Sequence, residues 1–366
     1  MQNAALIDID AQLNAATDIS LINATDVNIA VSASPTLTTT NGSIDISTGV
    51  GGITVDGAGT VTLDQNGNTG NVALAALSTT ATSVTNVTVA AEGDVTLGGA
   101  LDLEAGVTDG SLSVTVDDNA ANSTTETLLV SGAVTNVNDI TLSGSGTGDT
   151  IDIDANITTT GGDLTLQNAG IVDVDATTLT SAGAIRVINV TDLQLAAGLT
   201  LSALGGDIDL YNAGGVTGIT LDGSGSVILD ADLDSDVLLA AVDTTGATSN
   251  QTTSLTVNAE GSVSANGAID LDGGASADGA LSMTADNDND TIETLAINGA
   301  ITNVAGATLQ GGATANEVVD INADISSTSG ITVQNAGEIQ LLAGITLDSQ
   351  GGTLDLNNNV TSTTLN

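Results

Sequence analysis

Two runs of alternating aspartates contain the residue types and the spacing that could do chemistry in this chain. In each run an acid stands at every second position, with mostly apolar residues between the acids of the first run and amides between those of the second. The acids are Asp230, Asp232, Asp234 and Asp236 in the first run and Asp286, Asp288 and Asp290 in the second. Because Ca²⁺ prefers about six to eight oxygen ligands, many of them carboxylates, both runs are candidate calcium sites.

The first run also fits a strand with one solvated face. Successive side chains of a strand point to opposite sides, so the four acids would share one face and Leu229, Leu233 and Val237 the other. Same-side neighbours lie about 6.5–7 Å apart, too far for all four to bind one ion at about 2.3–2.6 Å. Two adjacent acids, such as Asp232 and Asp234, could do so with a carbonyl oxygen. A solvated face and a bound divalent cation both remain open.

The second run resembles the start of a calcium loop of the D-x-D-x-D type. Thr291 stands where such a loop has its turn glycine, and no glutamate stands at the twelfth position from Asp286. The matching segment of an internal repeat, described below, is expected near Asn119–Thr124, which contains no acid. A metal bound by this run would therefore be a feature of one part of the chain only.

Composition excludes several classes of enzyme. The chain has 366 residues, of which 45 are acidic, one is basic (Arg186) and one is aromatic (Tyr211), and it has neither His nor Cys. Nucleophile systems that pair Ser or Cys with His are impossible without those residues. A sugar-cleaving groove would need an Arg or Lys base or aromatic platforms. We therefore expect no enzymatic activity.

The formal net charge of −44 points to cations as partners. Nucleic acids and anionic membrane surfaces would be repelled. No apolar run approaches the length of a membrane helix, and the first residues lack the basic and apolar regions of a signal peptide. Hydrophobic residues still make up 41% of the chain, with a mean hydropathy of +0.28. We therefore predict a folded chain, because disordered chains lack such apolar content.

A long internal repeat with an offset of roughly 167 residues organises the chain. It predicts one continuous β-solenoid over residues 1–366, with copies at approximately 42–204 and 205–366 and the end of a preceding copy at 1–41. The matched segments are Ile53–Asp64 with Ile219–Asp230, Thr85–Val95 with Thr253–Val263, Ser131–Val137 with Asn298–Val304, and Ile151–Gly162 with Val319–Gly330.

The repeat also relates the first aspartate run to Leu63–Val72. Asn66 and Asn68 stand there in the places of Asp232 and Asp234. Polarity is retained while charge is lost. The comparison favours an oxygen-rich outer surface over a dedicated metal motif.

Short strands are predicted throughout. Segments of three to six residues alternate Ile, Val or Leu with Asp, Thr or Ser, and Gly, Asn and Ser lie between them. Coils of roughly 21 residues, within the usual range of repeat proteins, give about 17 stacked coils. The predicted strands begin at residues 43, 53, 60, 86, 94, 100, 139, 150, 163 and 207.

The fold class expected is therefore all-β, a parallel β-helix (β-solenoid). An array of β-sandwich domains is the alternative, although it would need large buried residues that this chain lacks. The segments Ala91–Gly106, Gly161–Gly170 and Ala182–Val187 resemble the repeat region of filamentous-haemagglutinin-type and related giant bacterial surface proteins. This resemblance implies a right-handed, extracellular or cell-surface β-helix that serves as an adhesin, stalk or secreted fibre.

Three functional hypotheses follow. The first is a structural segment of an extracellular fibre, stalk or adhesin shaft, whose partners are cations, the rest of a longer chain and cell-surface or glycan ligands. The second is a filament subunit that stacks end to end with copies of itself. The third is an ice- or mineral-binding solenoid, which would carry a regular Thr or Asp ladder and is suggested by the Thr-rich segment Thr36–Thr40.

Overall fold

A computed structural model describes most of the chain, and every regular element in it is a β-strand. The described residues are 3–31, 35–66, 70–80, 84–106, 108–117, 125–211, 215–244, 251–288, 292–312 and 317–358. They divide into two compact units, Met1–Ala176 and Thr177–Asn366. Within the described residues there is no helix of the length and apolarity needed to cross a membrane.

The first unit contains twenty of the strands. They are β1 Leu6–Ile9, β2 Leu13–Ala15, β3 Ile19–Ser20, β4 Asp26–Ala30, β5 Thr36–Thr39, β6 Ile44–Ile46, β7 Ile53–Asp56, β8 Gly59–Gln65, β9 Val72–Leu74, β10 Leu77–Thr79, β11 Thr85–Ala91, β12 Val95–Leu97, β13 Leu101–Asp102, β14 Leu112–Val116, β15 Thr127–Val130, β16 Val134–Val137, β17 Ile140–Ser143, β18 Thr150–Ile153, β19 Ile157–Thr159 and β20 Leu164–Val174.

The second unit contains the remaining strands. They are β21 Thr178–Ser181, β22 Ile185–Ala196, β23 Thr200–Ala203, β24 Ile208–Leu210, β25 Val216–Asp222, β26 Gly225–Ala231, β27 Val237–Leu239, β28 Val242–Thr244, β29 Thr253–Ala259, β30 Val263–Ala265, β31 Ile269–Asp270, β32 Leu281–Thr284, β33 Thr294–Ile297, β34 Ile301–Val304, β35 Ala307–Gln310, β36 Val318–Ile321, β37 Ile325–Ser327, β38 Gly330–Ala336, β39 Glu338–Leu341, β40 Leu347–Asp348 and β41 Thr353–Asn358.

Strands three apart along the chain pair in parallel, which is the pattern of a β-solenoid. In the first unit β7, β8 and β9 make one coil, and β10 then pairs in parallel with β7. β11 pairs with β8 and β12 pairs with β9 in the same way. The prediction of a parallel β-solenoid is confirmed. The alternative of β-sandwich domains is wrong, because sandwiches are built from antiparallel strands.

The coils are longer than predicted, so there are fewer of them than about 17. Leu77 pairs with Leu101, and Leu201 pairs with Leu229, so one circuit of the solenoid takes more of the chain than expected. One face of the first unit has seven stacked strands, β1, β4, β7, β10, β13, β16 and β19, and the corresponding face of the second unit has eight. The prediction underestimated the length of the segments that connect the strands, which varies more than the length of the strands does.

Ladders of aliphatic side chains fill the interior of each unit. Ile53, Leu77, Leu101, Val134 and Ile157 stand in register on five successive coils, and each is at most 2% exposed. Each such side chain contributes about 1.5–3 kcal/mol when it is fully buried. All ten predicted strand positions fall in or next to observed strands, so the alternation of apolar and polar residues was interpreted correctly.

Asparagine or aspartate adopts the left-handed backbone region at several strand irregularities and corners. Asn136 and Asn303 both have φ near 50°, and they lie at matching places in the two copies, within β16 and β34, where the pairing register shifts. Asp117 and Asp286 form another such pair, with φ of 49° and 50°. Asn and Asp tolerate this region better than most residues, since their short side chains can bond the local backbone. The repeat therefore preserves the shape of its corners.

Close stacking of the coils makes some glycines indispensable. A Cβ atom on Gly110 would overlap the carbonyl oxygen of Thr85, whereas a Cβ atom on Gly218 would meet nothing within 4 Å. We expect Gly110→Ala to cost about 1–3 kcal/mol, the usual penalty of overpacking. Gly218→Ala, the matched control, should change stability by less than about 0.5 kcal/mol. Urea denaturation followed by circular dichroism measures both, and equal midpoints for the two variants would contradict this account.

Candidate metal centre

The first aspartate run is not the continuous strand that the alternation predicted. Strand β26 ends at Ala231, and the next residues form a turn before β27 begins at Val237. Leu233 and Asp234 lie in the left-handed region, with φ of 58° and 54°, and Leu233 is 70% exposed. The prediction that Leu233 faces the core is therefore wrong. Two consecutive left-handed residues reverse the chain, and the two-residue periodicity ends there.

The four acids of this run consequently lie in different local environments. Asp230 lies on the outer face of β26, and Asp232 follows it at the start of the turn. Burial raises the pKa of Asp232, and the charge of Asp230 raises it further. Asp234 is exposed at the tip of the turn. The run does not bring its four carboxylates together in the way that a single metal site requires.

Asp236 instead belongs to a stack of acids at the start of successive strands. Its N–H donates to Oδ1 of Asp207 over 3.0 Å, and its own Oδ1 accepts from the N–H of Ser262 over 2.7 Å. Ser262 Oγ in turn donates to Oε2 of Glu293 over 2.6 Å. The pKa of Asp236 is raised, chiefly by burial. The hydrogen bond from Ser262 lowers this pKa, whereas the charges of Asp207 and Glu293 raise it further.

The second aspartate run is also divided. Asp286 is fully buried, Asp288 is exposed, and Asp290 lies outside the described residues. Asp286 donates its N–H to the carbonyl oxygen of Gly261, which fixes it in the interior of the corner. The two described acids therefore do not share a face, as the calcium-loop interpretation would require.

A different group of acids meets the geometric requirement for a metal. One ligand oxygen from each of Asp117, Glu126 and Asp149 lies within 4.8 Å of the others, the one such group of three among the residues that the structure describes. The three side chains are 4%, 5% and 1% exposed. Sequence reasoning missed this group, because its members are far apart along the chain and belong to no short motif.

Three parallel strands bring these acids together. Asp117 follows β14 and turns inward with its left-handed backbone, while Glu126 directly precedes β15. Asp149 directly precedes β18, which pairs with β15 so that Thr127 lies opposite Thr150. The register therefore places Glu126 and Asp149 side by side on adjacent coils.

Hydrogen bonds hold the group in place. The N–H of Glu126 donates to Oδ1 of Asp149 over 3.3 Å. The N–H groups of Ser145 and Gly146 donate to Oδ2 of Asp149 over 2.8 and 3.0 Å, and Ser145 Oγ donates to Oδ2 of Asp117 over 3.1 Å. The short loop before β18 thus supplies donors to two of the three carboxylates and fixes their orientation.

The second copy of the repeat carries acids at all the matching positions. Asp117, Glu126 and Asp149 correspond in order to Asp286, Glu293 and Glu317, at nearly constant offsets. The run beginning at Asp286 was expected to match a segment near Asn119–Thr124, which lies outside the described residues. Its first acid, Asp286, matches Asp117, just before that segment, and both have a left-handed backbone. A loop of different length after this position hid the match. Alignment from the following strand, β15 against β33, would have shown it.

Acids also stack on the outer surface. Asp152 and Asp173 lie directly opposite each other on neighbouring strands, and Asp154 and Asp175 follow them at the strand ends. Burial raises the pKa of Asp152 to about 6, and the charges of Asp154, Asp173 and Asp175 add to the rise. Like charges in register are a direct consequence of parallel stacking and destabilise the pair.

Comparisons with known proteins supply no relative. No family model matches the chain, and neither the search of curated proteins nor the search of solved structures found a match. The resemblance to filamentous-haemagglutinin-type proteins therefore stays a prediction from sequence.

The raised pKa of Asp152 predicts a stability change with a defined pH window. Its folded pKa of about 6 exceeds the unfolded value of 3.8, so the folded state is penalised increasingly as pH rises from about 4 to above 6. We expect Asp152→Asn to raise stability at pH 8 by about 0.2–1 kcal/mol and to have little effect at pH 4. Melting curves between pH 4 and pH 8 measure the difference.

Asp45 is the matched control of opposite sign. Burial raises its pKa, but hydrogen bonds from Ser47 and Thr48 outweigh that effect, and the net pKa is lowered. Its ionised form therefore stabilises the fold above the unfolded pKa, and this contribution is lost as pH falls through the folded value. Asp45→Asn should lower the melting temperature at pH 8. A gain in both variants at pH 8 would indicate general charge reduction and contradict the specific account of Asp152.

Proposed function

We propose that this chain is a structural segment of an extracellular, cell-surface β-helical fibre, stalk or adhesin shaft. The observation that carries the proposal is the set of parallel ladders, in which, over the described residues, each coil pairs with the coils before and after it and with no other. In such a fold each added coil adds length at about 4.8 Å per coil, and no distant contacts are needed. A chain built in this way is suited to spanning distance.

The composition supports an exposed location. A single basic residue, Arg186, leaves one site for trypsin-like proteases in 366 residues. A net charge of −44 keeps such a surface soluble, and cations from the surroundings screen its self-repulsion. The predicted resemblance to giant bacterial surface proteins points the same way.

Electron microscopy of the purified chain tests the structural role. We expect separate elongated particles of uniform width, because stacked coils add length and leave the cross-section constant. Long fibres of the same width would favour the alternative that the chain assembles end to end. Compact globular particles would contradict both, and immunogold labelling of intact source cells would separately test the surface location.

One observation favours the ice- or mineral-binding alternative. The outer face of the first unit carries a ladder in which five of six successive positions are threonine and the other is serine. Thr38 and Thr40 of the Thr-rich segment do not belong to this ladder. Its members, half-buried and in register, are Thr36, Thr62, Thr88, Ser113, Thr141 and Thr165.

An ice-growth assay tests this second function. The hydroxyl groups repeat at about 4.8 Å along the ladder. If these hydroxyl groups bind ice, Thr88→Leu should strongly weaken the inhibition of ice growth, because it interrupts the row. Thr96→Leu is the matched control, since Thr96 lies between Ala73 and Leu129 and belongs to no such ladder. Unimpeded ice growth with the unmodified chain would remove ice binding from consideration.

A further inference from the structure

We propose that Asp117, Glu126 and Asp149 together bind one Ca²⁺ ion inside a corner of the first unit. The proposal concerns a discrete site and is independent of the structural role proposed above. It also differs from the two aspartate runs, since none of its ligands belongs to either run.

Distance is the first argument. Two oxygens bound to one Ca²⁺ at about 2.4 Å can be at most about 4.8 Å apart. Every pair of ligand oxygens in the group meets this limit. Ca²⁺ tolerates flexible coordination geometry, whereas Mg²⁺ binds at about 2.0–2.1 Å and demands nearly ideal octahedral geometry, so we name Ca²⁺ as the ion.

Charge compensation is the second argument. Burying an ionised carboxylate is costly unless an opposite charge or several hydrogen bonds compensate it. Three buried carboxylates lie together in this corner, so the cost is large. The chain offers no Lys and no His, and Arg186, its single basic residue, lies in register with Asp209 in the second unit. Positive charge for this corner must therefore come from solution, as a metal ion or as protons.

Individual oxygen atoms give the third argument. Oδ1 of Asp117 and Oε2 of Glu126 are buried and accept no hydrogen bond. Both residues have other contacts, so the point concerns these two atoms only. Buried acceptor atoms are normally satisfied by a donor or an ion. A cation within reach of both atoms satisfies them at once, and Asp149 is already held in position by backbone donors.

The second copy shows what distinguishes the site. Its matching acids are Asp286, Glu293 and Glu317, but Glu293 is drawn toward Ser262 Oγ and is only half-buried. Gly312 stands in the place of Ser145, and a Cβ atom there would overlap the carboxylate of Asp286. The second corner is thus packed differently, and the proposal is confined to the first.

Calorimetric titration of the full chain with Ca²⁺ tests the proposal. The protein is first dialysed against a chelator, and ionic strength is held constant. We expect one saturable site per chain in the unmodified protein, at least a tenfold loss of affinity in Glu126→Gln, and no change in Asp10→Asn, which removes an exposed carboxylate from the same unit. Absence of saturable binding, or equal affinity in Glu126→Gln, would overturn the proposal in favour of protonated acids and diffuse counterions.

Melting temperatures separate metal binding from a merely structural role. In chelator, Glu126→Gln should be at least as stable as the unmodified chain, because it removes one of three clustered charges. With millimolar Ca²⁺ the unmodified chain should gain stability and the variant should not. Asp117→Asn replaces it if Glu126→Gln does not fold. If the melting temperature of the unmodified chain is the same in chelator and in Ca²⁺, the calcium site is wrong. That result would not affect the structural role, which is tested separately by the particle shape seen in electron microscopy.

Discussion

The parallel backbone ladder between successive coils is the interaction on which the rest of the structure depends. It fixes the coil spacing at about 4.8 Å and aligns each strand with the one before it. Because the alignment is in register, each residue stacks on a residue of the next coil, and several of these stacks repeat one type of side chain. Aliphatic side chains form the core ladders, threonines form the row from Thr36 to Thr165, and aspartates form repelling pairs such as Asp152 with Asp173.

The same constraint sets what can vary. Strands keep their register, so changes in chain length fall in the corners. The step from Leu101 to Val134 is much longer than the step from Leu6 to Asp26, and both pairs remain in register. Glycines such as Gly110 are needed where two corners approach closely, and left-handed Asn or Asp residues are needed where the chain changes direction.

These properties explain how far sequence could predict the structure. Strands and their buried faces followed from local alternation, which each strand carries within itself. The turn at Leu233 could not be predicted from the sequence, because leucine rarely adopts a positive φ and the neighbouring residues contain no turn signal such as Gly or Pro. The group of Asp117, Glu126 and Asp149 was equally hidden, because only the register of β15 with β18 and the path of one corner bring it together. Local patterns predict elements, whereas sites of this kind require the pairing between coils.

Comparison of the two copies separates acids by their surroundings. On the surface Asp232 is matched by Asn66, so an amide stands in one copy where a carboxylate stands in the other, and each directly follows a strand, β26 or β8. In the corner Asp117, Glu126 and Asp149 are all matched by acids, although burial in the first copy makes a charge there most costly. Neutral residues of similar size would avoid that cost if packing were the only requirement. In the first copy a bound cation gives the three carboxylates a reason to persist, since an amide in their place would lower the negative charge that holds the ion. In the second copy Glu293 instead accepts a hydrogen bond from Ser262 Oγ.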